Sequence, residues 1–367
     1  MTLGRSSRRE RLARAWMEDL SPAGTRLLAP VSAGYRGVVG AREWLYSSGI
    51  LRSRRLECPV VSVGNLTVGG TGKTPAVMLA AEALTALGRR PAVVSRGYGR
   101  RSSGVHIVAD TASIRLDPEE GGDEPFLLAR RLPGVPVVVA ANRWEGARLA
   151  IERFGVTAIV LDDGFQHRTV AKDLEIVMAR AHRPWGNGRL LPGGPLREPL
   201  SALARAHLVV VTGAATADDA IDVTRAVERH APGVPVATTT HVVTECWAAA
   251  RLTLIPMSRL EGARVLAFAG IGFPDGFGRT LAHLGLDVVG VIGFGDHHWY
   301  AAHELEALAS RARELGACAL VTTEKDWVKL LRLRIPDTPL WVVSVRLAFT
   351  SGETSWRAAF EKVCGRA

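Results

Sequence analysis

The chain has 367 residues, 47% of them hydrophobic, and a formal net charge of +10. That length and apolar content suit two domains of ordinary size with a sizeable core and exclude a disordered chain. Cys58, Cys246, Cys318 and Cys364 stand singly with no C-x-x-C pair, which argues against a zinc ribbon or a disulfide framework and suits a reducing cytoplasm.

The first 55 residues hold much of the charge: eleven arginines against Glu10, Glu18, Asp19 and Glu43, a surplus of seven. The arm lacks the long apolar run of a spanning helix or a secretory signal. Leu12, Trp16 and Leu20 recur at i, i+4 and i+8, and Leu28, Val31, Tyr35 and Val39 at i, i+3, i+7 and i+11, ahead of Trp44, Leu45 and Tyr46. Residues 1–55 therefore read as a basic amphipathic helical arm, its second stretch interrupted by Pro30, Gly34 and Gly37. Such an arm suits a bilayer interface, where each basic residue near anionic headgroups contributes about 1 kcal/mol. It suits equally a helix packed on its own domain with a solvated basic face, and nucleic acid is a third partner class.

From Cys58 onward, short β-rich runs alternate with helical patterns, the signature of a parallel α/β sheet. Strands are predicted at Pro59–Val63, Ala92–Ser95, Val105–Ala109, Pro136–Ala140, Thr157–Leu161, Leu174–Met178 and His207–Thr212. Helices are predicted around Pro75–Leu87, Glu124–Arg131, Arg143–Phe154 and Ala217–His230, several closed by Gly88, Gly134 or Gly155. Two strand-like runs, Val236–Thr244 and Ala250–Leu254, follow without a helix between them, and a fresh alternation begins at Arg264. The expected organisation is a doubly wound domain over residues 56–254, a smaller α/β domain over 255–345, and a C-terminal segment, 346–367, with a short helix. In the smaller domain the predicted strands are Arg264–Ala269, Asp287–Ile292, Ala317–Thr322 and Pro339–Val345, and the predicted helices lie near Asp275–Leu284, His303–Leu315 and Asp326–Leu331.

The first predicted strand runs into Thr67-Val68-Gly69-Gly70-Thr71-Gly72-Lys73-Thr74. Glycines let backbone N–H groups turn inward around an anion, Lys73 offers a charge to the β- and γ-phosphates, and Thr74 offers a hydroxyl to Mg²⁺. A helix begins there, so its positive end faces the same place. The loop departs from the strict G-x-x-x-x-G-K-[ST] pattern, because Thr67 stands where the first glycine belongs. This is a variant phosphate-binding loop, and a P-loop NTPase-type sheet handling a nucleoside triphosphate is expected.

Further along, Thr157–Leu161 ends in Asp162 and Asp163, strand-end acids of the kind that hold Mg²⁺ in P-loop proteins; hard oxygen ligands are what that ion requires. Gly122-Asp123-Glu124-Pro125 opens a helix. There Asp123 reads as an N-cap, and equally as a carboxylate placed to take a proton from a substrate hydroxyl. Phe294-Gly295-Asp296-His297-His298 is rich in imidazole without the spacing of a metal site, and His297 reads as an oriented acid/base or phosphate contact. Thr323-Glu324-Lys325-Asp326 carries its lysine one place late for a guanine-specifying N-K-x-D, and Gly270-Ile271-Gly272 reads as a strand-end turn.

Taken with Gly64-Asn65-Leu66 just ahead of Thr67, Ser95-Arg96-Gly97-Tyr98-Gly99 and Leu196-Arg197-Glu198-Pro199, these motifs run in order from residue 64 to 326. As a set the chain resembles the tetraacyldisaccharide 4′-kinases, the lipid A 4′-kinases of Gram-negative bacteria, in which Thr67 is habitual. The resemblance implies transfer of the ATP γ-phosphoryl group to the 4′-hydroxyl of a tetraacylated, 1-phosphorylated glucosamine disaccharide at the cytoplasmic face of the inner membrane. It implies ATP and Mg²⁺ as cofactors, with Thr74, Asp162, Asp163 and Glu198 toward the metal and residues 67–74 around the nucleotide. Asp123 would act as base with His297 beside it, and the arm would dock peripherally on the membrane. The lipid A disaccharide precursor and the membrane surface are then the expected partners. Nucleic acid is not expected, since no helicase motif set or RNA-binding aromatic signature is present, and no obligate protein partner is evident. Two alternatives are a kinase or ligase acting on a soluble small molecule and a nucleic-acid-stimulated ATPase.

Overall fold

The computed structural model describes residues 22–272 and 274–365. The chain runs α1 (Pro22–Ser47), β1 (Val60–Asn65), α2 (Lys73–Ala86), β2 (Pro91–Ser95), β3 (His106–Ala109), α3 (Pro118–Gly121), α4 (Asp123–Arg131), β4 (Val137–Val139), α5 (Arg143–Phe154), β5 (Ala158–Asp162) and β6 (Leu174–Arg180). It continues through β7 (Leu208–Thr212), α6 (Ile221–His230), β8 (Val236–Ala248), β9 (Thr253–Leu254), β10 (Arg264–Ala269), α7 (Pro274–His283) and β11 (Asp287–Gly293). The last elements are α8 (Ala302–Glu314), β12 (Ala319–Thr323), α9 (Glu324–Trp327), β13 (Leu340–Ser351) and α10 (Glu353–Cys364).

Among the described residues thirteen strands form one sheet, ordered β11-β10-β12-β13-β8-β7-β6-β1-β5-β2-β4-β3, with β9 paired to β8. The central strands β1, β2, β4, β5 and β7 are buried along their whole length. That is why they read as unbroken Val/Ile/Leu runs: helices cover both faces of a parallel sheet. Strand order reverses at β1, which has β5 on one side and β6 on the other, both parallel. A crevice at the carboxyl ends of strands, where order reverses, is where such sheets bind ligands.

The two units expected from sequence share this sheet. Their seam is the antiparallel pairing of β8 with β13, from Trp341 opposite Ala248 to Ser351 opposite Thr238. The strand expected to stop at Val345 continues to Ser351, because its second half lies against β8 beside the phosphate-loop unit. Gly352 then turns the chain at φ +75°, where an added Cβ would sit 2.7 Å from Ala237 Cα. From that turn α10 buries Trp356, Phe360 and Val363 against Val77, Ala80 and Leu84 of α2. The C-terminal segment is therefore part of the phosphate-loop unit's core.

The interruption expected at Pro30, Gly34 and Gly37 does not occur: α1 is one helix of 26 residues with Pro30 inside it. Pro30 is exposed, on the solvent side of the helix, where a proline is best tolerated. The helix touches the body along one narrow stripe, Leu28, Ser32, Tyr35, Val39, Glu43 and Tyr46, each half-buried. The Tyr35 hydroxyl donates to the Arg197 carbonyl at 2.9 Å, Gly193 N–H donates to Ser32 Oγ at 3.1 Å, and Glu43 pairs with Arg168 and Arg205. Outside this stripe Val31, Val38 and Trp44 are 57%, 68% and 61% exposed. Val31, grouped above with Leu28 and Tyr35, flanks them at the edge of the stripe and remains exposed. The stretch carrying Leu12, Trp16 and Leu20 lies outside the described residues. No described helix is long and apolar enough to cross a membrane.

Trp356→Ala should lower unfolding free energy by about 3 kcal/mol, the cost of emptying a buried indole site. In urea this should appear as a lower midpoint at unchanged slope; an unmoved midpoint would show that α10 does not belong to the main core.

Candidate active site

The phosphate loop leaves β1 at Asn65, and its glycines are used selectively. Gly69 takes φ +102° and Gly72 φ +76°, and a Cβ on Gly72 would lie 2.9 Å from the Thr212 methyl. Thr67 needs no glycine: it is buried and bridges Leu196 in antiparallel fashion, flanked by Val68 N–H donating to the Pro195 carbonyl at 2.9 Å and Arg197 N–H to the Leu66 carbonyl at 2.7 Å. The Leu196–Pro199 segment is thus an extended partner of the loop's first half. The helix α2 begins at Lys73, two residues earlier than the predicted Pro75, with Gly72 as its N-cap.

Lys73 Nζ donates to Asn65 Oδ1 at 3.2 Å and lies 3.5 Å from Asp163 Oδ1. Asn65 is fixed in turn by donating to the Thr67 carbonyl at 2.7 Å. Asp163 takes a left-handed φ of +50°, which lets the second acid of β5 swing toward the loop. Its Oδ2 accepts from Arg197 at 2.7 Å, while Oδ1 is buried without a hydrogen-bond donor. Burial alone would raise its pKa, but Lys73, Arg197 and Arg143 outweigh that and hold it at about 2. Asp162 behaves oppositely: burial and the charge of Glu124 push it up to about 6, against the hydrogen bond that Ser95 Oγ donates to it at 2.7 Å.

Ser95 also leads to the second cluster. Two residues on, Gly97 Cα would meet a Cβ on Gly122 at 3.2 Å, so the β2 loop lies directly against the start of α4. Gly122, not Asp123, is the N-cap, and Asp123 is the first helical residue. The Asp123 carboxylate, 4% exposed, accepts from Glu124 N–H at 2.9 Å and meets His297 Nδ1 at 2.8 and 3.1 Å. His297 comes from the loop after β11, with φ +61° and its ring 5.3 Å from that of Tyr98. Burial would raise Asp123, but the His297 hydrogen bond and Lys325 hold it at about 2. For His297, burial pulls down and Asp123 pulls up, with Lys325 opposing; the net effect is a rise. The neighbouring His298 serves the loop, meeting the Glu304 carboxylate at 2.9 Å and stacking on Phe294.

The second unit also reaches the phosphate loop directly, since a Cβ on Gly272 would lie 2.7 Å from Gly70 N. The strand-end turn Gly270-Ile271-Gly272 therefore abuts the glycine-rich loop. Glu198 is buried and its Oε2 accepts from Arg205 at 2.7 Å. Among the described residues no three His, Cys, Asp or Glu side chains group as a metal cluster, so Glu198, Asp162 and Asp163 do not form one by themselves. A Mg²⁺ site on a phosphate loop needs fewer protein ligands, because water and nucleotide oxygens fill the rest. The buried, donor-free Asp163 Oδ1 beside Asp162 and the loop fits such an ion. Asn65, Ser95, Arg197, Glu124 and Lys325 carry no assigned role in the sequence reading, although each lies inside a quoted motif; their partners are set by the fold.

The pattern of the tetraacyldisaccharide-1-P 4′-kinases matches residues 24–364. The chain belongs to this family. A tetraacyldisaccharide 4′-kinase of Anaeromyxobacter sp. (strain Fw109-5) is 43% identical over 342 residues, 92% of each chain, and one of Syntrophus aciditrophicus is 43% identical over 355 residues, 92% of this chain and 94% of that one. Among solved structures, LpxK from Aquifex aeolicus in complex with ATP superposes with a TM-score of 0.72 at 31% identity, covering 92% of this chain and 99% of that one. Membership makes the chain a kinase built on a P-loop sheet.

The sign of the pH dependence follows from the pair. A depressed Asp123 contributes stability that is full above its unfolded pKa near 4; a raised His297 contributes stability that is full below about 6.5 and lost as pH rises through its folded value. Asp123→Asn should therefore destabilise more at about pH 5.5 than at about pH 9. Urea unfolding at both pH values checks this, and equal losses would sink the pairing.

Proposed function

We propose that this kinase transfers the γ-phosphoryl group of ATP to the 4′-hydroxyl of a tetraacylated glucosamine disaccharide 1-phosphate, the lipid A precursor. The observation that carries the reading is the convergence of a phosphate loop, two strand-end carboxylates and the Asp123–His297 pair through the Ser95–Gly97 connection. The names of the relatives supply the acceptor.

In this reading the amides of residues 67–74 and Lys73 hold the β- and γ-phosphates. Thr74, Asp162 and Asp163, with Glu198 as a further carboxylate once released from Arg205, would hold Mg²⁺, which supplies charge neutralisation at the phosphates. Asp123 accepts the proton of the sugar hydroxyl as its oxygen attacks the γ-phosphorus; the bond from that phosphorus to the β–γ bridging oxygen breaks, and ADP leaves. His297 orients the carboxylate and shares the proton, so the pair titrates as a unit. The near-complete burial of the carboxylate, with His297 on it at 2.8 Å, supports the assignment by keeping bulk water from the proton-accepting oxygens.

We further propose that the enzyme works as a peripheral protein on the cytoplasmic face of the inner membrane. Val31, Val38 and Trp44, exposed on α1 outside the stripe, together with the exposed Arg36 give the free surface of the helix both apolar and basic side chains, the combination that lies in a bilayer interface.

With labelled ATP and the lipid disaccharide, Lys73→Ala and Asp123→Ala should each lose at least about 100-fold in kcat/KM; wild-type rates in both would refute the site. Replacing Val31, Val38 and Trp44 together by glutamate should release the protein from anionic vesicles while nucleotide binding persists. Unchanged sedimentation with vesicles would remove the membrane role.

A further inference from the structure

The Thr323-Glu324-Lys325-Asp326 turn has no part in the chemistry above, yet it is tied down more thoroughly than a surface turn requires. Asp326 is fully buried and accepts from Gly270 N–H at 3.0 Å, Tyr300 hydroxyl at 2.9 Å, Thr323 Oγ1 at 2.7 Å and Lys329 at 2.9 Å. Those bonds anchor the turn inside the second unit. Its two remaining charges reach across to α4 of the phosphate-loop unit. Glu324 lies 3.3 Å from Arg131 in the last turn of α4, and Lys325 lies 2.9 Å from Glu124 in the first. Trp327 completes the grip, meeting Trp247 edge-on at 4.6 Å with Arg130 over its ring at 4.3 Å.

Lys325 does one thing more. Its ammonium sits between Glu124 at 2.9 Å and Asp296 at 3.0 Å. Glu124 is the residue after Asp123, and Asp296 is the residue before His297. One cation therefore joins the immediate neighbours of both members of the pair, which are 174 residues apart in sequence. We propose that Lys325 is the positioning residue of the Asp123–His297 pair, holding carboxylate and imidazole at hydrogen-bonding distance across the two units through Glu124 and Asp296. It touches neither substrate nor nucleotide in this role. The inference rests on the reading of that pair as the catalytic base.

The charges facing the pair are Glu124 on α4, Asp296 on the loop after β11, and Lys325 and Lys329 at and just after α9; the Tyr98 ring faces it from the β2 loop. Removing Lys325 takes away a cation and leaves Glu124 and Asp296 facing each other, so the proton on the pair is held more tightly and its spacing relaxes.

The test uses the full-length enzyme and compares Lys325→Met, Lys325→Arg and Asp123→Asn in phosphoryl transfer across pH. Lys325→Met should lower kcat about 100-fold, the cost of a base displaced by about 1 Å. Its KM for ATP should stay within about threefold, and the acid limb of its rate–pH profile should move to higher pH. Lys325→Arg should recover most of kcat, because a guanidinium carries the charge and spans two carboxylates. The triple variant Glu124→Gln, Asp296→Asn, Lys325→Met leaves no unpaired charge, so it stands in if Lys325→Met fails to fold, and it should show the same loss of kcat. Wild-type kcat in Lys325→Met or in the triple variant, or an arginine variant no better than methionine, would overturn the proposal. If Asp123→Asn is itself fully active, the base assignment fails; if Asp123→Asn is inactive while Lys325→Met is active, only the role of Lys325 fails.

Discussion

The contact on which the site depends is the 2.8 Å meeting of His297 Nδ1 with Asp123 Oδ2. It joins two units through side chains that are both largely withdrawn from water, and an isolated carboxylate so placed would cost several kcal/mol. The cost is offset locally. Asp123, Glu124 and Asp296 face His297 and Lys325, and Lys329, paired with Asp326, adds a further cation nearby. The backbone also gives way, since His297 adopts φ +61°, which a residue with a Cβ tolerates at a cost of order 1–3 kcal/mol. The loop bears this because His298 on one side is pinned to Glu304 and stacked on Phe294. Left-handed backbone at Asp163 serves the same end on the opposite wall, turning a strand-end acid toward Lys73.

A single sheet makes such a contact reproducible. Had the two α/β units been tethered by a linker, their relative placement would vary with every fluctuation of the connection. Here the long antiparallel seam between β8 and β13 fixes one unit against the other, and α10 returns from β13 into the core under α2, the helix that the phosphate loop starts. The chain thus crosses between units, then locks the crossing with Trp356 and Phe360. The glycine contact between Gly272 and Gly70 lies in the same crevice and depends on the same seam. A side chain on Gly272 would not fit there.

Much of this is legible in the sequence, and what is not has a physical reason. The helix Arg143–Phe154 is legible to the residue, because Asn142 caps its start and Gly155 takes φ +58° just past its end. The β1-to-α2 turn is legible because only glycine serves at Gly69 and Gly72. Local pattern misleads where a tertiary contact overrides it. Pro30, Gly34 and Gly37 suggest a broken helix, yet Ser32 and Tyr35 tie α1 to the body on either side of Gly34, and Tyr35 and Glu43 on either side of Gly37. The end expected at Val345 is misplaced because alternation of burial continues when a strand changes neighbours. Of the site, the residue types and their order are visible, whereas pairings such as Ser95 with Asp162 or Lys325 with Asp296 span 67 and 29 residues and exist only once the sheet is built. The sequence view of Thr67 as a departure from pattern is resolved by its bridge to Leu196: the position is a strand position, where a β-branched residue fits and a glycine would loosen the ladder.

That bridge has a second consequence, for the arm. The segment that pairs with Thr67 is also the segment on which α1 rests: Ser32 meets Gly193, and Tyr35 meets the Arg197 carbonyl. Arg197 sends its guanidinium the other way, to Asp163 at 2.7 Å. One residue, Arg197, therefore separates the outer helix from a carboxylate of the phosphate site. An arm that merely tethered the protein to a membrane would need no such connection and could be joined by a flexible linker. In the proposed reading a bilayer holds the exposed Val31, Val38 and Trp44 of α1, while the half-buried stripe sets the height and tilt of the site above it. An acyl-chained acceptor cannot rise far from the bilayer without exposing its chains, at about 0.8 kcal/mol per methylene. A site fixed rigidly to the membrane-facing helix meets the sugar where the lipid already holds it.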